Sequence, residues 1–145
     1  MRKKEKDEIS IFNIDRNPLF IIVSIMLSIV LDYLSYTWIL NLIPWGFVML
    51  IPAAFFSFHT IWLILTPYAL FYEDKLEIKR NLFSNNMLFF VDVKKVGEMT
   101  KNNLTITYND GELCIIKLSG IKTNQKTTLK SELEKHVAFS ISKRN

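Results

Sequence analysis

One carboxyl and one imidazole stand in an otherwise uncharged stretch: Asp32 and His59 within residues 18–66. A carboxyl in hydrocarbon costs several kcal/mol when charged, so an aspartate at such a place invites a functional reading. It does not stand alone on its helix face. Ser24, Ser28, Asp32 and Ser35 recur at spacings of four, four and three, and Ala53, Ser57 and Thr60 at four and three, which puts each set on one helical stripe. Small residues let membrane helices approach, and hydroxyls bond across the gap. The two stripes are therefore expected to face each other. Asp32 then has three readings: polar packing, with the carboxyl neutral or hydrated and bonded to Ser28, Ser35 or backbone; a contact between copies of the chain; or movement of an ion or proton. A proton relay to His59 conflicts with geometry. Counted from the turn between the stripes, Asp32 is about 8 residues down (roughly 12 Å) and His59 about 14 (roughly 21 Å). His59 also points about 160° away from the Ala53/Ser57 side, at 100° per residue. It is either a tolerated lone histidine or a contact to a second copy or another membrane protein.

A second cluster, Lys75, Lys79 and Arg80, follows the apolar stretch closely. Each basic group near anionic lipid adds about 1 kcal/mol of attachment. Glu73, Asp74 and Glu77 interleave and nearly cancel the charge, so a solvated, membrane-proximal face competes with headgroup binding. Elsewhere the raw material for chemistry is thin. The chain has four glycines, two histidines and one cysteine. There is no G-x-S-x-G, no H-E-x-x-H and no glycine-rich phosphate loop. Cys114 excludes an internal disulfide and a cysteine metal cluster, and reads as a small core residue in a reducing compartment. His136 reads as a surface or helix-edge residue, and Asp92 and Glu98 as solvated strand charges. The expectation is a protein that is not an enzyme and takes no cofactor or metal. The net charge of +4 is too small and scattered for a nucleic-acid surface.

The elements that must position these groups divide at Thr66. Residues 19–40 and 46–66 are each roughly 20 residues long, enough to span about 30 Å of hydrocarbon. A five-residue connector, residues 41–45, makes them a helical hairpin. Asn17 supplies an N-cap and Pro18 a first helical residue; Pro44 can do the same for the second span, which Pro52 kinks and Pro67 closes. Asp32 and Tyr33 stand where a signal-peptide cleavage site needs small residues, so a retained anchor is expected. Arg2, Lys3, Lys4, Lys6 and Arg16 precede the first span, the connector has no basic residue, and Lys75, Lys79 and Arg80 follow the second. The positive-inside rule then places both termini in the cytoplasm, with Trp38 and Trp45 at the outer interface and Tyr68 and Tyr72 at the inner one. The division is thus a cytoplasmic tail, 1–17, a transmembrane hairpin, 18–66 (helices 18–40 and 45–66), and a cytoplasmic domain, 67–145.

The domain alternates with period two. Strands are expected at 69–73, 76–83, 87–99 (bent near Lys94-Lys95 and Gly97), 104–108 and 112–118, with turns at Asp74-Lys75, Ser84-Asn85-Asn86, Lys101-Asn102-Asn103 and Asn109-Asp110-Gly111. From about Asn124 the period lengthens: Leu129, Leu133, Val137 and Ile141 recur every four residues, an amphipathic helix with one apolar stripe to bury. The fold class is α+β, a two-helix hairpin followed by a small five-stranded antiparallel sheet under one C-terminal helix.

This pattern resembles the bacterial pleckstrin-homology-like domains of small membrane proteins. PYALFYEDKLEIKRNLF is similar to their opening hairpin, FFVDVKKVGEM to their third strand, and LTITYNDGELCIIKL to the hairpin before the closing helix. The resemblance covers about 67–141 and rests on pattern. It implies a split barrel or sandwich that binds partners or lipids without doing chemistry, although five or six strands are visible where a complete domain has seven. The expected protein is a multi-pass inner-membrane scaffold touching membrane lipids and a membrane or cytoplasmic protein partner, with self-association left open. The alternative is a small accessory, regulatory or immunity-type membrane protein acting through its hairpin.

Overall fold

The computed structural model describes residues 10–143; the basic run at Arg2, Lys3, Lys4 and Lys6 lies outside them. The described chain divides into two compact units, one of residues 16–66 and one in which residues 10–15 join residues 67–143.

The first unit is two antiparallel helices, α1 (Pro18–Leu40) and α2 (Trp45–Leu65). Asn17 caps α1, its Oδ1 accepting from the Leu19 N–H at 3.0 Å, and Pro18 opens the helix. Pro44 precedes α2 in helical conformation without a side-chain cap bond, and Pro52 lies inside that helix. The connector turns through Leu42, whose φ of 53° is left-handed. Both helices are long and apolar enough to cross a membrane. Their burial is inverted relative to a soluble protein. The residues buried between them are Ser24, Ser28, Ser35, Gly46, Ala53, Thr60 and Leu63, while large apolar side chains such as Ile29 and Ile51 point outward.

Among the described residues the second unit holds seven strands in two antiparallel sheets and one long helix. Sheet one runs in the order β1 (Phe12–Ile14), β2 (Ala69–Phe71), β3 (Lys75–Asn81), β4 (Ser84–Phe89); sheet two runs β5 (Val93–Met99), β6 (Asn103–Tyr108), β7 (Leu113–Lys117). The strands do not close into a barrel. The expected single five-stranded sheet is thus corrected in two places. A strand lies before α1: Phe12 pairs with Phe71 and Ile14 with Ala69, so α1 and α2 are spliced between two neighbouring strands, where a simpler domain has a turn. The expected strand 87–99 is broken by a single 3-10 turn at Phe90–Asp92, because Phe90 turns inward to the core and its N–H bonds the Asp74 carbonyl at 2.9 Å. The bend expected near Lys94-Lys95 and Gly97 falls where the β5–β6 register shifts, between Val93 and Lys95 and between Val96 and Met99.

One expected turn also moves. Ser84, Asn85 and Asn86 lie in β4, and the chain reverses at Leu82-Phe83. There the Asn81 side chain accepts the Phe83 N–H at 3.1 Å, the local bond that makes asparagine a turn former. Gly111, with φ of 90°, closes the β6–β7 hairpin as its Asp-Gly signal requires. α3 (Lys126–Ser142) packs on β5 and the 3-10 turn through Leu129, Leu133 and Val137, while Ile141, the fourth member of the expected stripe, is 39% exposed. Ile14, Phe71, Leu76, Phe90, Leu104, Ile106, Leu118 and Leu133 form one core with their neighbours.

Candidate functional site

Between α1 and α2 the two polar stripes meet. Ser24 Oγ and Thr60 Oγ1 are 2.7 Å apart, as are Ser28 Oγ and Ser57 Oγ. Ser57 also donates to Asp32 Oδ2 at 2.9 Å. A hydroxyl has one proton to give. Once Ser57 gives its proton to the carboxylate, Ser28 must be the donor in the Ser28–Ser57 pair. The bonds therefore run in one direction, Ser28 to Ser57 to Asp32. The carboxyl reaches Ser57 because helical side chains lean toward the helix N-terminus, bringing Asp32 back to the level of the Ser28–Ser57 pair. Near the connector, Ser35 donates to the Gly46 carbonyl at 3.1 Å. A Cβ at Gly46 would sit 2.7 Å from the Ile39 nitrogen, so glycine is what permits this approach of the two backbones.

Asp32 and His59 are not brought together. Asp32 is exposed at the rim of the helix pair, held by Ser57 from the opposite helix. His59 is half-buried within an aromatic ladder on α2, stacked on Phe55 (centroids 6.3 Å) and on Trp62 (6.1 Å). Arg16 continues the ladder, its guanidinium 4.6 Å from the Trp62 ring centre, while its Nε donates to the Thr66 carbonyl at 2.8 Å. The bond from Arg16 to Thr66 ties the start of the helix pair to its end, a role beyond a positive charge in the tail.

In the sheet unit, Lys75, Lys79 and Arg80 do not form one cluster. Lys75 lies over the Tyr72 ring at 5.2 Å, and Lys79 is 3.9 Å from Glu77. Glu77 is buried and is a hub, accepting also from the Tyr72 hydroxyl and from Asn85 Nδ2, each at 3.1 Å. Arg80 follows on the opposite face of β3, in a groove between β4 and β7. Tyr68 is no interface marker. It is 3% exposed, its hydroxyl donates to the Lys117 carbonyl at 2.6 Å, and its ring occupies the space a side chain at Gly120 would need.

Two of the clefts on this unit are lined in part by these residues. One, of about 540 Å³, lies beside the C-terminal half of α3. Its wall includes His136, half-buried at the edge of α3 and stacked on Phe90 at 4.9 Å and on Phe71 at 5.7 Å. The other, of about 440 Å³, is the groove between β4 and β7. Tyr108 and Cys114 line it. Burial first, then the adjacent Cys114 thiol and the carboxylates of Asp92 and Asp110, push the Tyr108 hydroxyl up to about 12. Among the described residues no three His, Cys, Asp or Glu side chains gather as metal ligands would. The chain matches no family model, no curated protein and no solved structure.

Proposed function

We propose that the protein is a non-enzymatic, membrane-embedded adaptor whose helix pair crosses the inner membrane twice and holds a pleckstrin-homology-like interaction domain at its cytoplasmic face. The observation that carries this reading is the inverted helix pair spliced between β1 and β2. Only 11% and 17% of the two apolar stretches are buried; a core helix of a soluble protein would be mostly covered. Lipid is the solvent that suits apolar outer faces with hydroxyls paired inside. The splice bears on topology as well. β1 and β2 pair directly, Ile14 opposite Ala69, so the segment before α1 and the domain after α2 must share one side of any membrane. That agrees with the positive-inside reading, which rests on different residues. Seven strands in sheets of four and three, closed by one helix, supply the strand count of a complete pleckstrin-homology-like domain and favour that resemblance.

A second reading has its own support: Asp32 is exposed on the outside of the helix pair with a serine donor fixed behind it, as a contact to another membrane helix would need. Photo-crosslinking of the membrane-embedded chain separates the two. Under the adaptor reading, the captured partners survive Asp32→Leu with His59→Leu and are lost when the domain surface is altered. Partners lost on the helix substitutions alone would transfer the function to the hairpin. Capture of no protein, with tight liposome binding by the chain, would replace the adaptor with a lipid-recognition module.

A further inference from the structure

The two sheets meet at the 3-10 turn between β4 and β5, and β4 and β7 remain the outer edges of their sheets. Those edges are the banks of the 440 Å³ groove, which Asn85 to Leu88 line on one side and Cys114 to Lys117 on the other. A strand edge carries a row of main-chain donors and acceptors, and proteins usually blunt it with charge, proline or a covering element. Among the described residues, Tyr68 covers the end of β7 by donating to the Lys117 carbonyl, and the rest of either bank carries no proline or run of charge. β4 reads Ser-Asn-Asn-Met-Leu-Phe and β7 reads Leu-Cys-Ile-Ile before its only charge, Lys117. Met87 and Ile115 beside the groove are 52% and 62% exposed. Among the described residues, Arg80 and Lys117 are the charged side chains that line the groove, while the Asp92 and Asp110 carboxylates act on it only from beyond Tyr108 at one end.

We infer that this groove is a strand-addition site for an extended, acidic segment of a partner polypeptide. The segment pairs its backbone with the β7 edge, sets its carboxylates on the face of β7 that carries Lys117, with Arg80 adding to the attraction, and lays its apolar residues on the opposite face, toward Ile116 and Leu88 in the groove. Backbone pairing supplies affinity and the alternate side chains supply selectivity, as in other edge-strand recognition. A lipid headgroup offers the charge but not the regular main-chain donors and acceptors that an edge takes. The inference rests on the adaptor reading and names its docking face.

Cys114, the only cysteine in the chain, lies in the groove and reports on it. The test uses the full chain in detergent micelles and a short end-blocked peptide of alternating valine and glutamate. Two control peptides carry lysine for glutamate, or proline for the central valine. The first peptide should slow maleimide labelling of Cys114 about tenfold at ten times its Kd, since only unoccupied protein reacts, and both controls should fail to protect. Arg80→Glu with Lys117→Glu, both at exposed positions, should transfer protection to the lysine peptide. Equal protection by the controls, no protection by any peptide, or indifference to the charge reversal would overturn the site. Partners captured through another face, unaffected by Lys117→Glu, would refute this groove while leaving the adaptor reading standing.

Discussion

Replacing Ile14 with alanine tests whether the segment before α1 is a tail or part of the domain. Ile14 is fully buried, its carbonyl accepts the Tyr68 N–H at 2.8 Å, and it sits opposite Ala69 in the sheet. The substitution removes three buried carbon groups, about 2.5 kcal/mol of transfer free energy at about 0.8 kcal/mol each. The cavity left behind raises the total to about 3–4 kcal/mol. For a folding unit of about 90 residues, each kcal/mol lowers Tm by roughly 4–8 °C, so the domain transition should fall by at least about 12 °C. The assay is thermal unfolding of the full chain in mild detergent, followed by near-UV circular dichroism. Ile11→Ala is the control: Ile11 is 60% exposed, and its loss should cost less than about 0.5 kcal/mol. Equal Tm values for Ile14→Ala and the parent would mean that β1 contributes nothing to the core, and the spliced topology would fall with it.

Three further outcomes follow from the geometry. Ser57→Ala breaks both bonds of the Ser28–Ser57–Asp32 chain and should cost about 1 kcal/mol of helix-pair stability, at roughly 0.6 kcal/mol per bond in a membrane; steric trapping in bicelles would measure it, and no change would remove the chain from the energetics. Gly46→Val forces side-chain atoms onto the backbone of Trp38 and Ile39 and should cost about 1–3 kcal/mol in the same assay, whereas Leu42→Gly should gain about 1 kcal/mol by relieving the left-handed backbone there. Tyr108 holds its proton to about 12 in the folded chain against 10.0 ordinarily. Folded protein therefore binds more protons across that interval, so stability should fall as pH rises through it. Urea unfolding at a series of alkaline pH values should show a shallower fall for Tyr108→Phe.

The helix pair was legible because its signals are local and periodic. Uncharged length marked both spans, and the spacing of Ser24 and Ser28 against Ser57 and Thr60 marked their facing stripes. What escaped was set by contacts distant in the chain. Phe12-Asn13-Ile14 is too short and too close to charged residues to show alternation, and its strand exists only because Ala69 to Phe71, beyond the entire helix pair, offers an edge. The apolar run at Met87–Val91 shows no period that could reveal a break; the break is fixed by Phe90 filling the core against Phe71 and His136. The same contact fixes what His136 meets at the edge of α3, since a helical pattern places a histidine on a face without saying what that face meets. Asp32 was expected to bond along its own helix. Its partner is Ser57 across the pair, consistent with the facing stripes but fixed by the axial stagger of the helices, which the connector sets.

The central claim is a helix pair that crosses the membrane between two paired strands, and site-directed thiol labelling tests it most directly. In a Cys114→Ser background, single cysteines go to three exposed positions: Asn13 in β1, Asp110 in the β6–β7 turn, and Leu42, 89% exposed in the connector. An impermeant maleimide applied to intact spheroplasts should label Leu42→Cys alone, and Asn13→Cys and Asp110→Cys should react together only after lysis. Labelling of Asn13→Cys and Asp110→Cys from opposite sides, or of Leu42→Cys from the same side as the other two, would contradict it.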